Sequence, residues 1–164
     1  MDASQRPIGV PSNKAGCTVG PEMERKSGLM RGRKFIYATS IATVPKICVV
    51  VRKAYGAGIY AMCGPAFEPD ATLALPGAEI AIMGPEAAIN AVYQNKILAI
   101  PDGPERKAFV DKLRTEYRRD IDAIVMADQQ VIDNLTPPAR LRDELSARVR
   151  FFQTEDEGLP TKKP

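Results

Sequence analysis

The stretch Pro45-Lys46-Ile47-Cys48-Val49-Val50-Val51-Arg52-Lys53-Ala54-Tyr55-Gly56-Ala57-Gly58-Ile59-Tyr60-Ala61-Met62-Cys63-Gly64 decides how this chain is read. Residues 47–51 are apolar and mostly β-branched, the length and content of a buried strand. A turn of small residues follows and opens a helix. Small residues let a ligand oxygen come close to backbone N–H groups. A helix start adds unpaired donors and the positive end of a dipole. The segment therefore reads as a place where an anionic oxygen is held by backbone alone.

The rest of the composition narrows the chemistry. The chain has 164 residues, a one-domain length with room for a core. Apolar residues make up 45% and charged residues 26%, as in ordinary globular proteins. A net charge of +3 spread through both signs gives no basic stripe for nucleic acid. No apolar run reaches the roughly 20 residues of a membrane span. The opening Met1-Asp2-Ala3-Ser4-Gln5 lacks the pattern of a signal peptide. Cys17, Cys48 and Cys63 fit neither a disulfide framework nor a metal motif, so a reduced, cytoplasmic setting is expected, with Cys48 a small buried hydrophobe. Histidine is absent. That excludes Ser-His-Asp and Cys-His catalysis, His-ligated metals and imidazole proton shuttles.

Along the chain, residues 1–22 are rich in Pro, Gly, Ser and Asn without periodicity and read as an extended or poorly ordered entry segment. Residues 22–42 carry a helical pattern weakened by Gly28 and Gly32, with Leu29, Ile36 and Thr43 in register. Residues 71–75 and 78–83 read as strands separated by Pro76-Gly77, and Gly84-Pro85-Glu86 starts a helix with Ala88, Ile89 and Val92 on its apolar face. Residues 104–130 read as one amphipathic helix with Val110, Leu113, Tyr117, Ile121, Ile124 and Val125 on its stripe. Thr136-Pro137-Pro138 resembles the capped start of a last helix whose face is Leu141, Leu145, Val149 and Phe152.

Three readings compete for the glycine segment. Gly56-Ala57-Gly58-Ile59-Tyr60-Ala61 satisfies the dinucleotide fingerprint G-x-G-x-x-G/A, with Glu79 about twenty residues on. Against it, Arg52-Lys53-Ala54-Tyr55 separate the strand from the first glycine, and Glu79 begins rather than ends its apolar run. The second reading is plain packing, glycines permitting a tight strand–helix turn. The third is an oxyanion hole formed by the N–H groups of Ala57 and Gly58, which suits a chain without histidine.

Several motifs carry a family resemblance: Ala42-Thr43-Val44-Pro45-Lys46-Ile47, Arg52-Lys53-Ala54-Tyr55-Gly56-Ala57-Gly58, Tyr60-Ala61-Met62-Cys63-Gly64 and Leu75-Pro76-Gly77-Ala78-Glu79-Ile80-Ala81-Ile82-Met83-Gly84-Pro85-Glu86. With Val131-Ile132-Asp133 and Pro137-Pro138-Ala139-Arg140-Leu141-Arg142-Asp143-Glu144-Leu145, they resemble the C-terminal half of biotin-dependent acyl-CoA carboxyltransferases. These are the β subunits of propionyl-CoA and methylcrotonyl-CoA carboxylases and the related glutaconyl-CoA decarboxylase subunit. The resemblance runs in order through residues 19–150. It implies an α/β, crotonase-like fold, a spiral of β-β-α units with a helical C-terminal part. The expected organisation is an irregular opening at 1–18, a carboxyltransferase C-terminal-type domain at 19–152 and a disordered tail at 153–164.

The resemblance also implies a chemistry. Carboxybiotin, carried on a separate biotin carboxyl carrier protein loaded by a biotin carboxylase subunit, releases CO2. The ureido group takes the α-proton of an acyl-CoA, and the enolate attacks the CO2. Two backbone oxyanion holes serve the thioester enolate and the ureido oxygen, and the biotin-side hole falls on Ala57 and Gly58. Gly56, Ile59 and Tyr60 fall where the family shapes the pocket near the acyl group, in a Gly-Ala-Gly-x-Tyr form nearer the methylcrotonyl type. Arg52 and Lys53 read as a solvated turn or as contacts to a CoA phosphate. The family's N-terminal half, which binds acyl-CoA, is absent from this sequence, so activity is expected only with a partner supplying it, in an oligomer. The alternative is a non-catalytic assembly or binding module, or a gene fragment that keeps part of the fold.

Overall fold

The structure of the chain is a computed structural model that describes residues 8–14 and 20–152. The expected tail at 153–164 and Cys17 lie outside the described residues. In chain order the elements are strand β1 (Ile8–Lys14), helices α1 (Pro21–Arg25) and α2 (Gly28–Ile41), strand β2 (Lys46–Tyr55), helix α3 (Ala57–Ala61), strands β3 (Ala71–Ala74) and β4 (Glu79–Ala81), helices α4 (Pro85–Ala99), α5 (Pro104–Asp120) and α6 (Ala123–Asp128), strand β5 (Asn134–Leu135) and helix α7 (Leu141–Phe152).

The long strand β2 organises a parallel sheet in the order β1-β2-β3-β5, with β4 also paired to β2. Its first half pairs with β3, Ile47 opposite Ala71 through Val50 opposite Ala74, and its second half with β4, Lys53 opposite Glu79. The chain therefore leaves β2 at the Pro76-Gly77 turn, where Gly77 has φ 78°, and rejoins the same edge further along. Such a detour lets one edge of β2 pair with β3 at residues 47–50 and with β4 at residues 53–55.

Side chains alternate across a strand, so β2 feeds two cores. Ile47 and Val49 join Ala71 and Leu73 on one face, where Leu141, Leu145, Val149 and Phe152 of α7 pack onto them. Cys48 and Val50 join Ala54, Ile59, Ala78, Ile80 and Ala123 on the other. Burial on both faces is the reason this run is apolar without alternation.

Two aspartates fasten the starts of neighbouring strands in the same way. The Lys46 amide donates to Asp70 Oδ2 at 2.5 Å while the Asp70 amide donates to the Lys46 carbonyl at 2.8 Å. The Thr72 amide donates to Asp133 Oδ2 at 2.6 Å and the Asp133 amide returns to the Thr72 carbonyl at 2.9 Å. Each carboxylate takes a strand-end N–H that would otherwise be buried without a partner.

Several expectations are corrected. The opening at 1–18 is not wholly irregular, because residues 8–14 form β1, held by parallel pairing from Ile8 opposite Lys46 to Ser12 opposite Val50. The helix at 22–42 is broken at Ser27, whose φ of 62° no helix accommodates. Only Thr39 of α2 is buried, and Leu29 is 77% exposed. The strand expected at 47–51 runs on to Tyr55, so Arg52 and Lys53 belong to β2 and not to a turn. The helix expected at 104–130 stops at Asp120, and Asp122 caps a separate helix by accepting from the Ile124 amide at 2.8 Å. Thr136 caps nothing, since its hydroxyl is buried without a hydrogen-bond partner. On α4, Ala88 and Ile89 are buried as expected, but Val92 is 67% exposed.

Candidate functional site

Gly56 is the hinge between β2 and α3. Its amide donates to the Ala81 carbonyl at 3.0 Å, one step beyond the β2–β4 ladder. It has φ 58° and ψ −145°, a conformation open in practice to glycine alone. A Cβ there would also meet the Ile82 carbonyl oxygen at 3.1 Å. The turn thus needs glycine for its backbone and for its neighbour.

Past Gly56 the chain enters α3. The Ile59 amide closes back to the Gly56 carbonyl at 3.2 Å. The amides of Ala57 and Gly58 come before that first bond, and neither donates to an acceptor among the described residues. Gly64 locks the far end of α3 in place. Its amide donates to the Ile59 carbonyl at 2.8 Å, and a Cβ on it would lie 2.7 Å from that same oxygen.

A cleft of about 290 Å³ opens beside this turn, lined among others by Gly56, Ile59, Tyr60, Ile82 and Met126. The structure therefore brings three of the expected pocket residues, Gly56, Ile59 and Tyr60, into one mostly apolar cleft. Ala57 is exposed and Gly58 is buried, and neither lines it. Ile59 is 7% exposed, part of the core as well as the wall, whereas Tyr60 is 44% exposed. Ile82 and Met126 also line the cleft, and nothing in their sequence spacing marks them as site residues. Ile82 reaches the cleft from the position just after β4, which the pairing of β2 with β4 sets beside Gly56, and Met126 reaches it from α6.

A second, polar cleft of about 560 Å³ lies on the other side of the β2–β4 seam, lined by Arg52, Lys53, Tyr55, Glu79 and Arg118 and by the start of α4. Tyr55 is buried, and its hydroxyl donates to the Glu79 carboxylate. Burial first, and then this bond, hold the Tyr55 phenol well above its ordinary range. Arg114 reaches Glu86 at 2.6 Å across from α5 to α4, and Tyr117 donates to the Met83 carbonyl at 2.9 Å. These contacts fix the helices over the mouth of the seam.

This geometry bears on the dinucleotide reading. The objection that four residues separate strand from glycine fails, because β2 extends to Tyr55 and Gly56 follows it directly. The objection from Glu79 stands, since Glu79 opens β4 and its carboxylate is bonded to Tyr55.

Residues 1–164 match the carboxyl transferase domain family. The chain belongs to that family. It is 47% identical over 162 residues to the uncharacterised carboxylase YngE of Bacillus subtilis, covering 99% of this chain and 32% of that protein. It is 34% identical over 149 residues to the carboxyltransferase subunit of propionyl-CoA carboxylase of Haloferax mediterranei, covering 90% and 28%. Among solved structures, the hexameric transcarboxylase 12S core with methylmalonyl-coenzyme A bound superposes with a TM-score of 0.85 at 34% identity, covering 96% of this chain and 30% of that one. The β subunit of geranyl-CoA carboxylase from P. aeruginosa superposes with a TM-score of 0.79 at 27% identity, covering 98% and 31%. The fold is crotonase-like, as the motifs implied. The chain spans about a third of the length of the relatives it matches. The match also reaches past the limits set by the motifs, to both ends of the sequence. No helix among the described residues is long and apolar enough to cross a membrane.

Proposed function

We propose that this chain provides the biotin-facing half of an acyl-CoA carboxyltransferase site in the cytoplasm, working in an oligomer with an N-terminal half that binds the acyl-CoA. The carboxylated ureido group of biotin, on its carrier protein, would supply the CO2 that is transferred to the α or vinylogous carbon of the acyl-CoA. Ala57 and Gly58 are the residues to hold it, their two N–H groups donating to the ureido oxygen as it gains negative charge. The observation that carries this reading is that pair of unclaimed amides directly after a glycine-only turn, in a chain of this family. Charge developing on one oxygen is stabilised by fixed donors that need no reorganisation.

Gly56 sets the direction of the two amides, Gly64 holds the far end of the short helix, and Ile59 and Tyr60 shape the apolar wall beside them. None of these residues takes or gives a proton. The protein's part is to orient the reactants and keep water from them.

Ala57→Pro tests the assignment. Ala57 is the first residue of α3 and exposed, a position where proline is accommodated, so the change deletes one N–H and little else. The chain is co-expressed with a compatible N-terminal half and carrier, and carboxybiotin-dependent carboxylation of acyl-CoA is followed. The variant should keep its melting temperature and lose about 10²–10³ in rate, as loss of one such donor does elsewhere. Full rate in Ala57→Pro, or carrier and acyl-CoA binding without turnover in the unaltered assembly, would refute the reading.

A further inference from the structure

The apolar cleft beside Gly56 has a wall that the glycine turn does not supply. At the end of α6, Gln130 adopts φ 58°, its amide donates to the Ala127 carbonyl at 2.9 Å, and the Val131 amide donates to the Met126 carbonyl at 2.9 Å. This pair of bonds is a left-handed helix ending that sets the residue after the turn against the one five positions earlier. Val131 and Met126, both half-buried, therefore stand together as one wall of the cleft. Ile59 and Ile80 are its buried floor and belong to the core behind it. Tyr60 and Ile82 stand exposed at its mouth.

No charged residue lines the cleft, and the Tyr60 hydroxyl is the one polar side-chain group along it. A charged group seated there would lose water without gaining a partner. An aliphatic chain instead gains about fourfold in affinity for each methylene it buries. The space of about 290 Å³ corresponds to roughly ten atom-sized groups at about 30 Å³ each. A two-carbon chain would leave most of it to water. Gly56 and Ile59 both line the cleft and flank Ala57 and Gly58 in the chain, so the cleft opens where the two unclaimed amides begin α3.

We infer that this cleft takes the acyl chain of the acyl-CoA, and that the chain is uncharged, apolar and of medium length, about four to eight carbons beyond the thioester carbonyl. The inference rests on the carboxyltransferase reading for the thioester and the transferred carboxyl group; the size and polarity of the tail follow from the cleft itself. Ile82 at the mouth and the Met126–Val131 wall are the residues that select for tail length, because they bound the space beyond the first two carbons.

The test compares kcat/KM for propionyl-CoA, hexanoyl-CoA and adipoyl-CoA in the assembly with a compatible N-terminal half and carrier. Three further buried methylenes at about fourfold each allow a preference of about sixtyfold, so hexanoyl-CoA should exceed propionyl-CoA by roughly tenfold or more. Adipoyl-CoA, with a carboxylate at the end of its tail, should fall roughly tenfold or more below hexanoyl-CoA. Ile82→Trp changes an 82% exposed residue, so the chain stays folded while the mouth narrows, and the hexanoyl-to-propionyl ratio should drop roughly fivefold or more. In the full chain alone, S-hexanoyl-N-acetylcysteamine should shift the methyl signals of Ile82 and Met126 and leave those of the exposed Ile124 in place. Absence of all turnover would sink the carboxyltransferase reading, and the methyl shifts would still decide the cleft. Propionyl-CoA used as well as hexanoyl-CoA, or an unchanged ratio in Ile82→Trp, would overturn the inference while that reading stands. So would Ile82 and Met126 methyls that ignore the thioester or answer to biotin methyl ester in its place.

Discussion

Replacing glycine by alanine at two positions should move stability in opposite directions, and the contrast tests the reading of the site turn. Gly32 lies within α2, where a Cβ would meet nothing within 4 Å. Alanine there gains about 1 kcal/mol of helix propensity. Gly56 has φ 58°, and a Cβ would press on the Ile82 carbonyl oxygen at 3.1 Å. Forcing alanine into that conformation costs about 1–3 kcal/mol, offset by about 0.4–1 kcal/mol from the less flexible unfolded chain. The net expectation is a loss of about 1–2 kcal/mol at Gly56 and a difference between the variants of about 2–3 kcal/mol. In a chain of this size that corresponds to about 4–12 °C between their melting temperatures. Urea unfolding of the isolated chain, with equal slopes for both variants, reads the difference from the midpoints. If Gly56→Ala proves as stable as Gly32→Ala, the turn does not depend on its positive φ. The account of how the Ala57 and Gly58 amides are aimed would then fail with it.

Two further outcomes follow from buried polar groups. Burial, reinforced by Cys63, pushes the Cys48 thiol from 9.0 up to about 12. Because the folded value is the higher one, this contribution is complete below pH 9 and is lost as pH rises towards 12, amounting to about 1.4 kcal/mol by about pH 10. Urea midpoints should therefore fall between about pH 8 and 10 in the unaltered chain and fall less in Cys48→Ala; equal slopes would contradict the burial of this thiol. The Thr136 hydroxyl is buried with no partner, so Thr136→Val, of the same shape, should raise stability by about 1 kcal/mol. A loss of that size would mean that the hydroxyl is bonded after all.

Much of the architecture is legible in the sequence, for identifiable reasons. Ile47 to Val51 has no polar residue, so a strand buried on both faces was the direct interpretation. The face Leu141, Leu145, Val149 and Phe152 repeats at helical spacing and packs on the sheet as expected. Local periodicity failed where a tertiary contact set the boundary. Arg52 and Lys53 look like loop residues, but pairing with β4 draws them into β2. Residues 8–14 contain Pro11 and no run of β-formers, and they become a strand because β2 offers them an open edge. Thr136 has the look of a helix cap, yet its amide is taken by the Ala74 carbonyl at 2.9 Å as the chain completes the sheet.

The candidate site divides along the same line. Composition and motif order were sufficient for the family, for the exclusion of imidazole chemistry and for Gly56-Ala57-Gly58 as the place to look, because these depend on residue types and their sequence spacing. Folding decided what stands around that turn. Parallel pairing of β2 with β4 brings Ile82 to Gly56 and Glu79 to Tyr55, contacts between residues more than twenty positions apart. The same long-range packing brings Asp70 to Lys46 at the far end of the strand, twenty-four positions away in the sequence. Periodicity reports a residue's own face; the occupant of the opposite face is set by which strand lies alongside, and that is a property of the assembled sheet.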